Sequence, residues 1–282
     1  MRLDSSRILK SLALTSAFLF SSLVAHAATD VRFAKWSAPL TPTEGPARIH
    51  GSYSAGCIEG AIRLMPDPSY RLIRASSGLH HGHPLAIRYV QRLASEIARR
   101  GLPPVGVEDI SGPRGGPVVA GHLSHQTGLD IDISLELLDL SEAEVETHVS
   151  KSFVESSNVR RLKTNWDPNL QDVLIATAAD SFDVEKIFVA PAIKKHFCEK
   201  YPDAPWLFKL RAFDGHDDHI HVRLKPPGHG STSHGTGPKQ CGADLDDSFR
   251  GWYVTLESDR LHPYVPSHFP VLPKACSAIL LK

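Results

Sequence analysis

Gly128-Leu129-Asp130-Ile131-Asp132-Ile133-Ser134 sets Leu129, Ile131 and Ile133 in alternation with Asp130 and Asp132. A period of two belongs to a β-strand, and it sends the two sets to opposite faces, the apolar one toward a core and the carboxylates toward a cleft. The pattern returns in His219-Ile220-His221-Val222-Arg223-Leu224, where Ile220, Val222 and Leu224 take the core side and His219, His221 and Arg223 the open side. Two such strands lying side by side in one sheet would gather imidazoles and carboxylates on a single face.

Segments with helical period frame this pair. Pro84 to Arg100 spaces Ala86, Val90, Leu93 and Ile97 for one helical face, with Pro84 at the start and Gly101 beyond the end, so an amphipathic helix is expected. Ser141 and Glu144 form a capping-box pattern that opens a short acidic helix. Asp167-Pro168 begins a further helix through Ala179, Lys186 to Val189 reads as a short strand, and Pro191 opens a helix reaching Cys198. The Gly- and Pro-rich stretches 112–121 and 225–242 are loops bordering the strands, and the run 228–237, with His229 and His234, reads as surface loop. The expected fold class is α+β: a small antiparallel sheet carrying a metal site, surrounded by helices and long loops and stapled by disulfides.

Residues 1–27 read as a secretory signal peptide. Arg2, Arg7 and Lys10 precede an apolar run from Leu12 to Val24, and Ala25-His26-Ala27 supplies a small-x-small cleavage site before Ala28. That apolar run is too short to span a bilayer comfortably, and no lipobox cysteine follows it. The mature chain, 28–282, is therefore expected as a single domain in the periplasm, with no membrane span once the leader is removed. The 41% apolar and 22% charged residues of the full sequence are ordinary for a globular protein. Lys and Arg number 31 against 31 Asp and Glu, so the net positive charge that draws proteins to nucleic acid is missing. In an oxidising compartment Cys57, Cys198, Cys241 and Cys276, with no C-x-x-C pair, argue for two disulfides over a metal site. Of the three possible pairings, the expected one joins Cys57 to Cys276, tying the N-terminal region to the tail, and Cys198 to Cys241, closing the loop that holds the chemistry.

Sixteen histidines are many for 282 residues, and His122, His125, His216, His219 and His221 fall in two short segments, each attached to one of the alternating strands. Neutral imidazole and carboxylate together suit zinc. With the strands adjacent, His125 can reach back across the turn at Gly128 to join Asp132 and His221, leaving a fourth tetrahedral position for water, whose pKa zinc lowers to about 7. His219, two residues from His221, shares its face and can touch that water without binding the metal. This makes it the candidate general base and then proton donor to the leaving amine. His216 and His122 fall at the cleft edge, where either could hydrogen-bond a developing oxyanion or orient a ligand. Parity alone does not choose between Asp130 and Asp132, nor between His219 and His221.

The strings Ser124-His125-Gln126-Thr127-Gly128-Leu129-Asp130-Ile131-Asp132 and His219-Ile220-His221-Val222-Arg223-Leu224, with Gly56-Cys57 and Gly82-His83-Pro84 upstream, resemble the penicillin-insensitive murein endopeptidases. These belong to the lysostaphin, D-Ala-D-Ala carboxypeptidase and Hedgehog group of metallopeptidases, which shares H-x6-D and H-x-H motifs. The resemblance covers most of the mature chain. It implies His125, Asp132 and His221 as ligands of one catalytic zinc and His219 as catalytic, on a small antiparallel sheet with helices around it. His216 is carried as a second catalytic candidate and His122 as a further metal-ligand candidate. The implied substrate is peptidoglycan, at the D-alanyl-meso-diaminopimelyl bond of its peptide cross-links. The acidic Gly215-His216-Asp217-Asp218 and the Gly-rich run after Lys225 depart from the family pattern, and no partner residues for a second metal near His122 stand out downstream.

Other readings of these residues exist. A D,D-carboxypeptidase or another cell-wall amidase could use the same cage, and a non-catalytic, zinc-containing peptidoglycan-binding module could keep the metal for stability. A zinc buffer would favour long His-rich runs. Retention of His219 speaks for hydrolysis, since a structural site has no use for a base beside an open position. No S-x-x-K and no H-E-x-x-H occurs, so neither a β-lactam-acylated serine nor the commonest helical zinc-protease site is present.

Overall fold

The structure, a computed structural model, describes residues 31–38, 40–118, 122–155, 158–228, 241 and 269–282. The leader, His229, His234 and the aromatic residues Trp252, Tyr253 and Tyr264 of the C-terminal segment lie outside the described residues. In chain order the elements are α1 (Val31–Trp36), β1 (Arg48–Ser52), β2 (Ala55–Glu59), β3 (Ile62–Arg63), β4 (Tyr70–Leu72), β5 (His81–Gly82), α2 (Pro84–Arg99), β6 (Val105–Val107) and β7 (Asp130–Leu137). There follow α3 (Glu142–Glu146), β8 (Val154–Glu155), β9 (Asn158–Leu162), α4 (Val173–Asp180), β10 (Val184–Val189), α5 (Pro191–Lys200), β11 (Leu210–Ala212), β12 (His219–Leu224) and α6 (Lys274–Leu281).

The fold is α+β, built on a six-stranded sheet in the order β11-β10-β12-β7-β6-β4. The two strands singled out from sequence are neighbours at its centre and run antiparallel, with His221 opposite Asp132, Arg223 opposite Asp130 and His219 opposite Ser134. The pairs β10-β12 and β6-β7 are also antiparallel, whereas β11 and β4 join at the edges in parallel. Alternation extends further than a half-buried strand would require. Ile131, Ile133, Ile220, Val222 and Leu224 are fully buried on one face, and Asp130 and Asp132 are buried on the other, beneath the loop before β7.

Helix α2 follows its sequence pattern closely: Ala86, Val90, Leu93 and Ile97 are all buried against the sheet, and His83 caps it by accepting a hydrogen bond from the Leu85 amide. The capping box of Ser141 and Glu144 is formed. One departure concerns the helix expected from Asp167. Asp167 caps it, but Pro168–Asp172 forms a π-helical turn before α4 proper begins at Val173. The wider turn brings Asp172 under four donors at once, the indole of Trp166, the imidazole of His196, the ammonium of Lys200 and the hydroxyl of Tyr201, at 2.8 to 2.9 Å. Burial opposes ionisation there, but these donors outweigh it and hold the carboxyl down at about 2.

Both disulfides pair as expected, Cys57 with Cys276 and Cys198 with Cys241. The first is fully buried and fastens α6 to β2 beside Trp36 and Ile279. Arg114 adds a polar clasp, donating to the carbonyls of Thr41, Ile279 and Leu280. Because the bond closes a sequence separation of 219 residues, it removes much freedom from the unfolded chain. The Cys57→Ser/Cys276→Ser variant is expected to lose about 2 to 5 kcal/mol in urea unfolding; an unchanged midpoint would show that the clasp alone anchors the tail.

Candidate metal centre

The loop from His122 to Gly128 is held over the sheet by specific contacts. Gln126 accepts from the amide of Gly56 and donates to the carbonyl of Ser54, while its own amide donates to Tyr53. At the far end Gly128 takes φ +67°, and a Cβ there would lie 2.8 Å from the Gly82 Cα and the His83 nitrogen, so only glycine admits this close approach. His125 is left-handed as well, at φ 66°, a conformation costing roughly 1 to 3 kcal/mol in a non-glycine residue. Its amide donates to Asp130 Oδ2 at 3.0 Å, which helps to hold it there. The strained backbone turns the His125 side chain down onto β7 and β12.

The orientation of each imidazole follows from its second nitrogen. His125 donates Nδ1–H to the carbonyl of Ile110 at 2.8 Å, leaving Nε2 with its lone pair. His221 places Nε2 3.0 Å from Asp130 Oδ1, off line for a hydrogen bond but close enough for the carboxylate to favour a proton there, which leaves Nδ1 bare. The two bare nitrogens face each other at 3.1 Å. Asp132 closes the triangle, with Oδ2 3.2 Å from His125 Nε2 and Oδ1 3.2 Å from His221 Nδ1. Two lone pairs and a carboxylate converging in this way hold together only with a cation among them, a proton or a metal ion. Donors bound to one tetrahedral ion at 2.0 to 2.1 Å are about 3.4 Å apart, so the triangle fits such an ion after a small expansion. Asp132 Oδ1 is also buried with no hydrogen-bond donor, a vacancy that ligation would fill.

His122 stands one step away. It donates Nε2–H to Asp109 Oδ2 at 3.0 Å, and its Nδ1 lies 3.6 Å from Asp132 Oδ2. Donor atoms of His122, His125 and Asp132 all fall within 4.8 Å of one another, so this residue too can hold a metal. His219 presents Nε2 at 3.9 Å from Asp132 Oδ1, and its Nδ1 bonds Asp218 Oδ1 at 2.6 Å. His216 donates Nδ1–H to the carbonyls of Asp214 and Phe213 at 2.9 and 3.2 Å, and its ring centroid is 5.0 Å from that of His219. With Nδ1 so committed, neutral His216 offers Nε2 only as an acceptor. It can orient a water but has no hydrogen for an oxyanion.

The sequence-derived residues therefore all meet in one place. Those that sequence reasoning missed are the partners behind them: Asp109, Asp218, Glu108 and the Ile110 carbonyl. The acidic pair Glu108-Asp109 directly after the apolar Val105–Val107 was a usable signal; a backbone carbonyl leaves none.

Electrostatics bind the cluster together. Burial opposes ionisation of Asp132, but His125 and His219 outweigh it and hold its carboxyl well below the usual range. Asp130 is held down likewise, against burial, by His221, Arg223 and His125. Arg223 bonds it at 2.7 Å while stacked 4.1 Å over the Tyr53 ring. Burial alone would lower His219, yet Asp132, Asp218 and Glu108 together raise it to about 10. A dication beside Asp132 would cancel part of that pull and bring the imidazole back toward neutrality. Burial, reinforced by His219 and His221, pushes His216 down to about 3, so it stays neutral.

Fold and site together define an α+β protein whose sheet carries a His/Asp cluster suited to a divalent transition metal. The model of the family described as penicillin-insensitive murein endopeptidase matches residues 49–281. A protein of that name from Haemophilus influenzae is 35% identical over 252 residues, which is 88% of this chain and 87% of its own. Those from Klebsiella pneumoniae subsp. pneumoniae (32% over 249 residues; 87% and 90%) and Escherichia coli O157:H7 (33% over 280 residues; 93% and 94%) match at similar breadth. The chain belongs to the penicillin-insensitive murein endopeptidase family, a family of peptidases.

Proposed function

We propose that this protein is a zinc-dependent peptidoglycan endopeptidase of the periplasm, exported by a leader at 1–27, with residues 28–282 forming one metallopeptidase domain. Its substrate on this reading is the D-alanyl-meso-diaminopimelyl bond of peptide cross-links. The observation that carries the proposal is the triangle of His125 Nε2, Asp132 and His221 Nδ1 at 3.1 to 3.2 Å, with His219 alongside. The names of the relatives support the substrate class. Among the described residues no helix is long and apolar enough to cross a membrane.

On this reading His125, Asp132 and His221 hold one zinc ion, because their free atoms form the tighter triangle, and His122 stands behind them at the longer distance. Zinc held there would lower the pKa of a water to about 7 and polarise the attacked carbonyl. His219 Nε2 takes the proton of the attacking water and delivers it to the leaving amine. His216 Nε2 accepts a hydrogen bond from water or substrate and orients it. Ile110 and Asp130 keep the ligand nitrogens of His125 and His221 turned inward.

Digestion of purified cross-linked muropeptides, followed by mass spectrometry, tests the proposal. Dimers should pass to monomers in a zinc-dependent and β-lactam-resistant way. Release of free D-alanine alone would identify a D,D-carboxypeptidase, and binding without cleavage by the zinc-loaded protein would identify a non-catalytic module.

A further inference from the structure

His219 and Asp218 are adjacent in sequence, and in an extended strand their side chains would diverge to opposite faces. They do not diverge here, because β12 begins only at His219 and Asp218 occupies the bend before it. That bend is pinned on both sides. The Leu135 amide donates to the Asp218 carbonyl at 2.9 Å and the Phe153 amide to the Asp217 carbonyl at 2.7 Å. The Ser152 hydroxyl holds the Asp217 carboxylate, and Gly215, at φ +74°, makes the preceding turn. The result is a carboxylate folded back onto the imidazole that follows it, with Oδ1 2.6 Å from Nδ1.

We propose that Asp218 is the positioning residue of the catalytic base: it accepts the Nδ1–H of His219 and thereby fixes the tautomer whose bare Nε2 faces the metal centre. This inference rests on the reading of His219 as the base. A carboxylate is the right group for the task, since it accepts only, and a charge-assisted N–H···O contact is short and strong. Without it either ring nitrogen could carry the proton, and half the useful orientations would present N–H, not a lone pair, to the water. The acceptor also stabilises the imidazolium that forms when His219 takes a proton, the service that a buried aspartate gives the histidine of a serine-protease triad. At 35% exposure the Asp218 side chain lies partly open, so its replacement leaves no buried void.

Asp218→Ala is expected to lower kcat about tenfold to a hundredfold, the usual cost of losing an orienting partner, with KM and bound zinc unchanged; Asp218→Glu should restore part of it. In a His219→Ala background, assayed at high enzyme concentration, Asp218→Ala should change nothing further, because it acts through that imidazole. A readout independent of turnover is the 15N spectrum of His219 in the zinc-loaded protein. The wild type should show protonated Nδ1 and bare Nε2, and Asp218→Ala a mixture of tautomers. Wild-type kcat in Asp218→Ala, an equal fall in the His219→Ala background, or an unaltered tautomer would each overturn the positioning role. Should His219→Ala itself turn over normally, the base assignment falls and this role with it.

Discussion

Asp132→Ala is expected to leave a folded protein that no longer retains zinc and cleaves cross-linked muropeptides about a thousandfold or more slowly, since the metal's contribution to such a reaction is several kcal/mol and each 1.4 kcal/mol is tenfold. The expectation follows from its place in the triangle. Asp132 sets one oxygen 3.2 Å from His125 Nε2 and the other 3.2 Å from His221 Nδ1, and its negative charge offsets that of the ion. Without it two neutral nitrogens remain, too few to hold zinc against buffer. Metal content by atomic absorption, with unfolding followed by circular dichroism, separates this from simple misfolding. The contrasting variant is His122→Ala. Its Nδ1 stands back at 3.6 Å and its other nitrogen is tied to Asp109, so zinc should remain at one equivalent. Loss of zinc in His122→Ala, with retention in His221→Ala, would move the site to the His122, His125 and Asp132 set.

For His219→Ala the expected result is the reverse combination: one equivalent of zinc retained and turnover lowered by about two to four orders of magnitude, the range that positioned acid-base groups supply. His219 Nε2 lies 3.9 Å from Asp132 Oδ1, close enough to reach a water at the centre yet outside the triangle of free donor atoms. Removing it takes away the proton acceptor for the attacking water and the donor for the leaving amine, while the cage stays intact. The fall should appear in kcat and in kcat/KM alike, because the group acts in the transition state more than in binding. A protein that lost its zinc with this substitution would make His219 a ligand and remove the base from the mechanism.

Much of this architecture was legible in the sequence where it depends on local periodicity. The span His219–Leu224 forms a strand over the residues that alternate, and the face of Ala86, Val90, Leu93 and Ile97 packs on the core. The disulfide pairing also followed, although counting cysteines leaves three possibilities and only proximity selects one. Less legible was the start of α4, where a helical pattern concealed a π turn. The four donors that gather on Asp172 come from positions up to 29 residues away, and no local pattern announces them. The parallel edge strands β4 and β11 escaped notice for a similar reason. Three residues each are too few to show a period.

Period-two alternation, a property of the covalent chain, was enough to say that Asp130 and Asp132 share one face of their strand and that His219 and His221 share one face of theirs. It could not distinguish the members of either pair, because they are chemically alike and two residues apart. The tertiary structure gives them different neighbours. Asp130 is engaged by Arg223 and the His125 amide, while Asp132 looks toward two imidazoles. His221 turns toward Asp130, and His219 toward Asp218. Which nitrogen of His125 and of His221 stays free is decided by acceptors as distant in the chain as the Ile110 carbonyl and the Asp130 carboxylate. A proton's place depends on what lies within 3 Å of the ring in space, and for residues so far apart along the chain that distance is set by folding alone.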